Sequence, residues 1–308
     1  MSVTGLLGFG MTVPSLPEAV DFYTAFGLNA HEHDTAVSMR CAGRDQDQIT
    51  LIEGRHKQIG YMSFSYRPEA LGLLRAELAE RGIDECDPMP GVPGDGLWFR
   101  DPWDILVNIR AQQPVQARDE PATKLNVAGS YERVDEARWK TLWQGRDAGV
   151  SPRRMGHTIL FTPDIEASEQ FYREVLGFRL SDKNPGRVCF LNSGPGDHHV
   201  FGFVSSTHSG LHHTSLEVAD LDEIAMGARQ MADKGHAAGW GLGRHTMGSN
   251  LFHYVKDPWG SWTEYFSDID QISDDWVGRE WDVPPAVWCP MRPEDFATNR
   301  EPAGAARV

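Results

Sequence analysis

The chain has 308 residues, 40% of them hydrophobic and 24% charged, which is ordinary for a globular protein long enough to bury two cores. A formal charge of −15 argues against a nucleic-acid or anionic membrane surface, and no apolar run is long enough to span a bilayer. Cys41, Cys86, Cys189 and Cys289 are scattered without a CxxC pair, and the N-terminus has no signal-peptide pattern; they read as reduced thiols of a cytoplasmic protein.

In chain order, the first expected unit is a strand ending at Val13, a helix through Tyr23 with its apolar side at helical spacing, and a capping glycine, Gly27. A strand over Tyr61–Tyr66 then precedes a helix ending near Arg81-Gly82, and the turn Arg100–Trp103 leads into a strand at Ile105–Val107. Residues 113–152 are polar and mixed, with a helix predicted around Asp135–Trp143. The pattern then restarts. His157 opens a strand through Thr162, a helix runs through Tyr172, and Gly177 closes it. Short strands follow at Arg187–Leu191 and Val200–Val204. His213 opens the next strand, Asp220 and Glu223 form a capping-box pair, and a helix ends at Lys234-Gly235. The turn Lys256–Trp259 precedes the strand Trp262–Phe266. Residues 269–308, rich in Trp, Pro and charge, leave the pattern and read as a tail packed over a domain, or partly disordered at Pro302–Val308.

The two halves are self-similar, so the expected fold is α+β: four βαβββ modules paired into two open-barrel domains. The expected boundaries are 1–112 for an N-terminal domain without metal, 113–152 for a linker, 153–268 for a C-terminal catalytic domain and 269–308 for a tail. Aligning the halves sets His157 against Gly8, His213 against about Gly60, and Glu264 against Asn108. The first half thus keeps the scaffold without the three donor groups. Two imidazoles and one carboxylate on one face of a metal leave positions open for substrate and O₂, the pattern of non-haem Fe(II) oxygenases. His212 competes with His213, and His198 with His199, because neighbouring strand side chains point to opposite faces. His213 is favoured because its spacing to Asp220 repeats that of His157 to Asp164.

The stretch from Gly243-Arg-His245 through His253-Tyr254 and Asp257-Pro258-Trp-Gly260 to Glu264 resembles the C-terminal signature of the two-domain type I extradiol ring-cleaving dioxygenases, in the vicinal-oxygen-chelate superfamily. His253 departs from it, standing where that family usually has an apolar residue. The resemblance implies His157, His213 and Glu264 as ligands of Fe(II), a set that also accepts Mn(II). It implies His199 as acid/base, about fourteen residues before the second metal histidine, and His245 and Tyr254 as groups holding the substrate oxygens. Phe190 and Met247 are expected to line the ring pocket. The implied reaction is extradiol cleavage of a catechol with O₂ to a ring-opened semialdehyde or oxo acid, in aromatic catabolism. The implied partners are the catechol and O₂, with neither nucleic acid nor membrane, and relatives assemble through these domains, so a homo-oligomer is expected. The alternatives are a glyoxalase-like isomerase, disfavoured because the first half lacks ligands, and a metal-free small-molecule binding protein.

Overall fold

The computed structural model describes residues 2–113 and 149–304, and the helix expected around Asp135–Trp143 lies outside them. The first half runs β1 (Val3–Val13), α1 (Leu16–Ala25), β2 (Asn29–Glu32), β3 (Ala36–Arg40), β4 (Ile49–Glu53), β5 (Gln58–Tyr66), α2 (Leu71–Glu80), β6 (Leu97–Arg100) and β7 (Leu106–Arg110). The second runs β8 (Arg154–Thr162), α3 (Ile165–Leu176), β9 (Arg179–Asn184), β10 (Val188–Asn192), β11 (Gly196–Asp197), β12 (Phe201–Ser205), β13 (Gly210–Glu217), α4 (Leu221–Asp233), β14 (Gly239–His245), β15 (Leu251–Lys256) and β16 (Trp262–Ser267). The tail adds three short strands, β17 (Gln271–Ile272), β18 (Arg279–Glu280) and β19 (Ala286–Trp288).

Three of the four helices, α1, α3 and α4, start where a short polar side chain takes over an orphan backbone donor, while α2 follows Ala70 without a side-chain cap. Ser15 accepts from Glu18 N, Asp164 from Ala167 N, and Asp220 from Asp222 N and Glu223 N. Glu223 reaches back one residue further than a standard box, to Ala219 N. Gly177 closes α3 at φ 74°, a left-handed conformation that favours glycine. Asp101 and Asp257 build the two Asp-Pro turns identically. Asp101 Oδ1 accepts from the amides of Trp103 and Ile105, and Asp257 Oδ1 from those of Trp259 and Ser261.

The repeat is visible in the sheets. Their orders are β2-β3-β4-β1-β5-β7-β6 and β18-β9-β10-β12-β8-β13-β16-β15-β14-β19. In every module the first strand pairs in parallel with the last, and modules join through antiparallel first strands, β1 to β5 and β8 to β13. One module departs from the expected βαβββ pattern: after α2 only two strands follow among the described residues. Pro88, Pro90 and Pro93 in the intervening stretch cannot donate to a ladder.

One hydrophobic cluster runs through both halves, from Val3 and Phe22 to Tyr172 and Tyr265. Tyr265 stacks on Phe26 at 3.7 Å between ring centroids, and its hydroxyl donates to Phe26 O. The tail is anchored across the same boundary. Glu301 ion-pairs with Lys57 Nζ at 2.8 Å and accepts from the amides of Ile59 and Leu211.

Candidate metal centre

The site is a consequence of strand register. Strands β8, β13, β16, β15 and β14 lie side by side, and His157 pairs with Ser215, Ser215 with Glu264, Glu264 with Tyr254, and Tyr254 with Trp240. Residues directly opposite one another share a face. His213, two positions before Ser215, shares it too. The donor atoms of His157, His213 and Glu264 therefore fall within 4.8 Å of one another although they are far apart in the chain.

Glu264 is fully buried. Its Oε2 lies 3.2 Å from His157 Nε2 and 3.8 Å from His213 Nε2, and its Oε1 lies 3.6 Å from His245 Nε2. Ser215 Oγ donates to Oε2, and Asn250 Nδ2 donates to Oε1 at 3.2 Å. Burial by itself would raise the carboxyl pKa, but hydrogen bonds and charge from His157 and His245 outweigh it and pull it well below the ordinary range. His213 Nε2 is buried with no hydrogen-bond partner among the described residues. Burial, then the neighbouring His212, hold the His213 imidazole in its neutral form, which is the form that coordinates a metal. An orphaned imidazole nitrogen facing an anionic, hydrogen-bonded carboxylate is a donor set suited to a divalent cation.

A cavity of about 660 Å³ opens beside these groups. His157, His213, His199, His245, Tyr254, Phe190 and Met247 all line it. His199 is buried, and its ring lies 4.3 Å from those of His157 and Phe190. Burial, and then proximity to His157, push its pKa well below that of a free imidazole. His245 Nδ1 donates to Pro285 O, and its Nε2 lies 2.9 Å from the Tyr254 hydroxyl and 3.6 Å from Glu264 Oε1. Burial and the nearby Glu264 charge raise the Tyr254 pKa, so the phenol stays a donor. His253, on the other side of β15, is absent from the cavity wall.

Strand alternation separates His198 from His199 as expected, but it does not separate His212 from His213. A register shift between Leu211 and His213 in the β13–β8 ladder brings the His212 ring to the same cavity. His212 Nδ1 contacts His213 Nδ1, and His212 also bonds the Phe296 backbone, so it braces a donor residue from behind. His198 does not line the cavity but touches His199 through Nδ1 of both rings. The tail, expected to pack over a domain, forms part of the cavity wall through Val283, Pro285, Arg292 and Phe296.

Ser215 and Asn250 escaped sequence reading. Ser215 had a usable signal, its place two residues after His213 on a strand. Asn250 had none. The first half carries the same row without donors: Gly8 pairs with Ser63 and Ser63 with Asn108, and Ser63 Oγ donates to Asn108 Oδ1 at 2.8 Å. By this register the counterpart of His213 is Tyr61, two before Ser63, rather than Gly60. A Cβ on Gly8 would meet Gln48 O at 2.3 Å, so no side chain fits where the second half has His157.

Residues 154–265 match the model of the Glyoxalase/Bleomycin resistance protein/Dioxygenase superfamily. Over 304 residues the chain is 35% identical to Metapyrocatechase 2 of Cupriavidus necator, covering 95% of this chain and 91% of that protein. The chain belongs to the extradiol ring-cleaving dioxygenases. It is also 26% identical, over 88% of its length and 87% of the relative's, to the manganese-dependent 2,3-dihydroxybiphenyl 1,2-dioxygenase of Geobacillus genomosp. 3. The extradiol dioxygenase fold matches the crystal structure of homoprotocatechuate 2,3-dioxygenase from Arthrobacter globiformis with a TM-score of 0.76 at 18% identity, covering 97% and 92% of the two chains. This dioxygenase is thus of the vicinal-oxygen-chelate fold, with mixed α+β architecture and two large sheets. Among its described residues no helix is long and apolar enough to cross a membrane.

Proposed function

We propose that the chain cleaves a catechol ring beside its two hydroxyls, inserting both atoms of O₂, at Fe(II) held by His157, His213 and Glu264. The observation that carries this reading is the row His157–Ser215–Glu264–Tyr254, which sets donor groups, a brace for the carboxylate and a phenol on one face at one end of the cavity. When bound, the metal supplies a centre that brings catechol and O₂ together and lets electron density pass between them. The catalytic half in this reading is 153–268, with 1–112 as a scaffold domain and 113–152 joining them.

The protein's own side chains do the rest. His199, neutral because it is buried, accepts a proton from a catechol hydroxyl and later returns one to an oxygen leaving the O–O bond, help typically worth about 10²–10⁴ in rate. Tyr254 and His245 point polar groups at the oxygen end of the substrate, where negative charge develops. Phe190 and Met247 flank the ring, and Trp240 and Phe296 close the apolar wall, keeping bulk water from the opened chain. The product is a ring-opened semialdehyde or oxo acid. Exposed Trp276, Trp281, Val287, Trp288 and Met291 on the tail support the expectation of a homo-oligomer, which light scattering of the purified protein tests.

The test is anaerobic loading of metal-depleted protein with Fe(II) or Mn(II), then a panel of substituted catechols and air, with O₂ uptake and the absorbance of the ring-opened product recorded. One O₂ consumed per catechol with Fe(II), and a loss of turnover in His213→Ala, are expected. Turnover unaffected by metal removal, or unimpaired by His213→Ala, refutes the assignment.

A further inference from the structure

His199 has a second connection that the reaction as described leaves unused. Asp182 on β9, His198 and His199 form a continuous chain: Asp182 Oδ2 lies 3.0 Å from His198 Nε2, and His198 Nδ1 lies 3.0 Å from His199 Nδ1. All three residues are buried, at 5%, 1% and 3% exposure. Asp182 is fixed from the tail, its Oδ1 accepting from the Arg279 amide at 2.9 Å, with the Trp281 side chain also bonded to the carboxylate. The Trp276 ring stands edge-on to His198 at 5.6 Å.

The protons in this chain can be assigned by elimination. An ionised carboxylate only accepts, so His198 Nε2 carries a hydrogen and donates. With His198 as a neutral imidazole, which has one N–H, its Nδ1 is then an acceptor. The contact between the two Nδ1 atoms is a hydrogen bond only if His199 Nδ1 supplies the hydrogen. The remaining nitrogen of His199, Nε2, is left with its lone pair and has no hydrogen-bond partner among the described residues, on a ring that lines the cavity. That is the form a base needs. With the chain reversed, His199 would present an N–H to the catechol and could not take its proton.

We propose that Asp182 and His198 are positioning residues that hold His199 in the tautomer with hydrogen on Nδ1, leaving Nε2 as the base that faces the substrate. The inference rests on the reading of His199 as acid/base given above. No proton travels along the chain. When His199 gains a proton at Nε2, its Nδ1–H still donates to His198, and the oriented His198 and the Asp182 charge stabilise the imidazolium through space. The arrangement has the logic of a catalytic aspartate that fixes a histidine's tautomer without itself being protonated, extended here by one imidazole.

Asp182→Asn is the informative variant because it preserves shape and reverses polarity. Its oxygen can still accept from the Arg279 amide, while its NH₂ donates to His198 Nε2. That forces hydrogen onto His198 Nδ1, and so onto His199 Nε2. With the metal-loaded enzyme, kcat is expected to fall by about 10²–10⁴, with metal content and catechol KM near parental values. The double variant Asp182→Asn/His199→Asn should be no slower than His199→Asn alone, since Asp182 acts through His199. Independently of turnover, two-bond ¹H–¹⁵N correlation spectra of the metal-free full-length chain should place the His199 hydrogen on Nδ1 in the parent and on Nε2 in Asp182→Asn. A parental spectrum with the hydrogen on Nε2 overturns the proposal whether or not any variant folds. A parental kcat in Asp182→Asn, or losses that multiply in the double variant, also overturn it. If His199→Asn itself costs nothing, the acid/base reading of His199 fails instead, and the spectrum still decides the tautomer.

Discussion

Ser215 offers the sharpest test of how the carboxylate is held. It sits in mid-row between His157 and Glu264, fully buried, and its hydroxyl donates to Glu264 Oε2, the oxygen nearest both metal-facing imidazoles. Ser215→Ala removes that donor and leaves Oε2 free to rotate away from the imidazoles. A hydrogen bond to a charged, buried acceptor contributes about 1.5–3 kcal/mol. At about 1.4 kcal/mol per factor of ten, that corresponds to a metal affinity weaker by about 10–100-fold, the range expected for groups that orient a ligand from behind. Ser63→Ala is the matched control, because Ser63 donates to the neutral Asn108 in the equivalent row of the other half. It should cost about 1 kcal/mol of stability and leave metal affinity unchanged. Competition with a chromophoric chelator gives both dissociation constants. Equal metal affinities for Ser215→Ala and the parent would refute the idea that this hydroxyl sets the carboxylate.

Other perturbations probe different parts of the molecule. Tyr254→Phe removes the hydroxyl that bonds His245 and is expected to lower kcat by about 10²-fold with metal content intact, as measured by O₂ uptake and metal analysis. Lys57→Met leaves Glu301 buried without its ammonium partner and should destabilise by about 3–5 kcal/mol, read from urea midpoints. Gly8→Ala drives a methyl into the Gln48 backbone and should cost about 1–3 kcal/mol in the same assay while leaving turnover per bound metal unchanged. Burial pulls His253 down to about 4, so the unfolded chain binds its proton first as pH falls. Its contribution to stability is therefore present above about 6.5 and declines between about 6.5 and 4, by of order 1–3 kcal/mol; His253→Phe should flatten that decline in urea titrations at pH 7 and 4.5.

Much of this was legible because it depended on short-range pattern. The helix starts at Ser15, Asp164 and Asp220 follow from side chains that cap in place. The duplicated Asp-Pro turns fixed how the halves align, and Gly8 and Asn108 fall where that alignment puts them. What was missed depended on events between strands. The shift at Leu211–His213 could not be read from alternation, so His212 was expected to face away and instead shares the cavity. Asp182 and His198 are separated by a hairpin and meet only when β9 folds beside β10. The tail has no periodicity because it follows the surface of other elements, and its wall-forming role is visible only in contact.

The buried Glu301 has a consequence for how the two halves depend on each other. Residues of the tail that close the substrate chamber are tethered, beyond Phe296, to an ammonium and an amide from the half that carries no donor row. The duplicated half is thus a mooring post for the chamber roof. Cutting the gene between the repeats would leave the second copy with its donor row but with the ceiling of the cavity untied from Lys57 and Ile59.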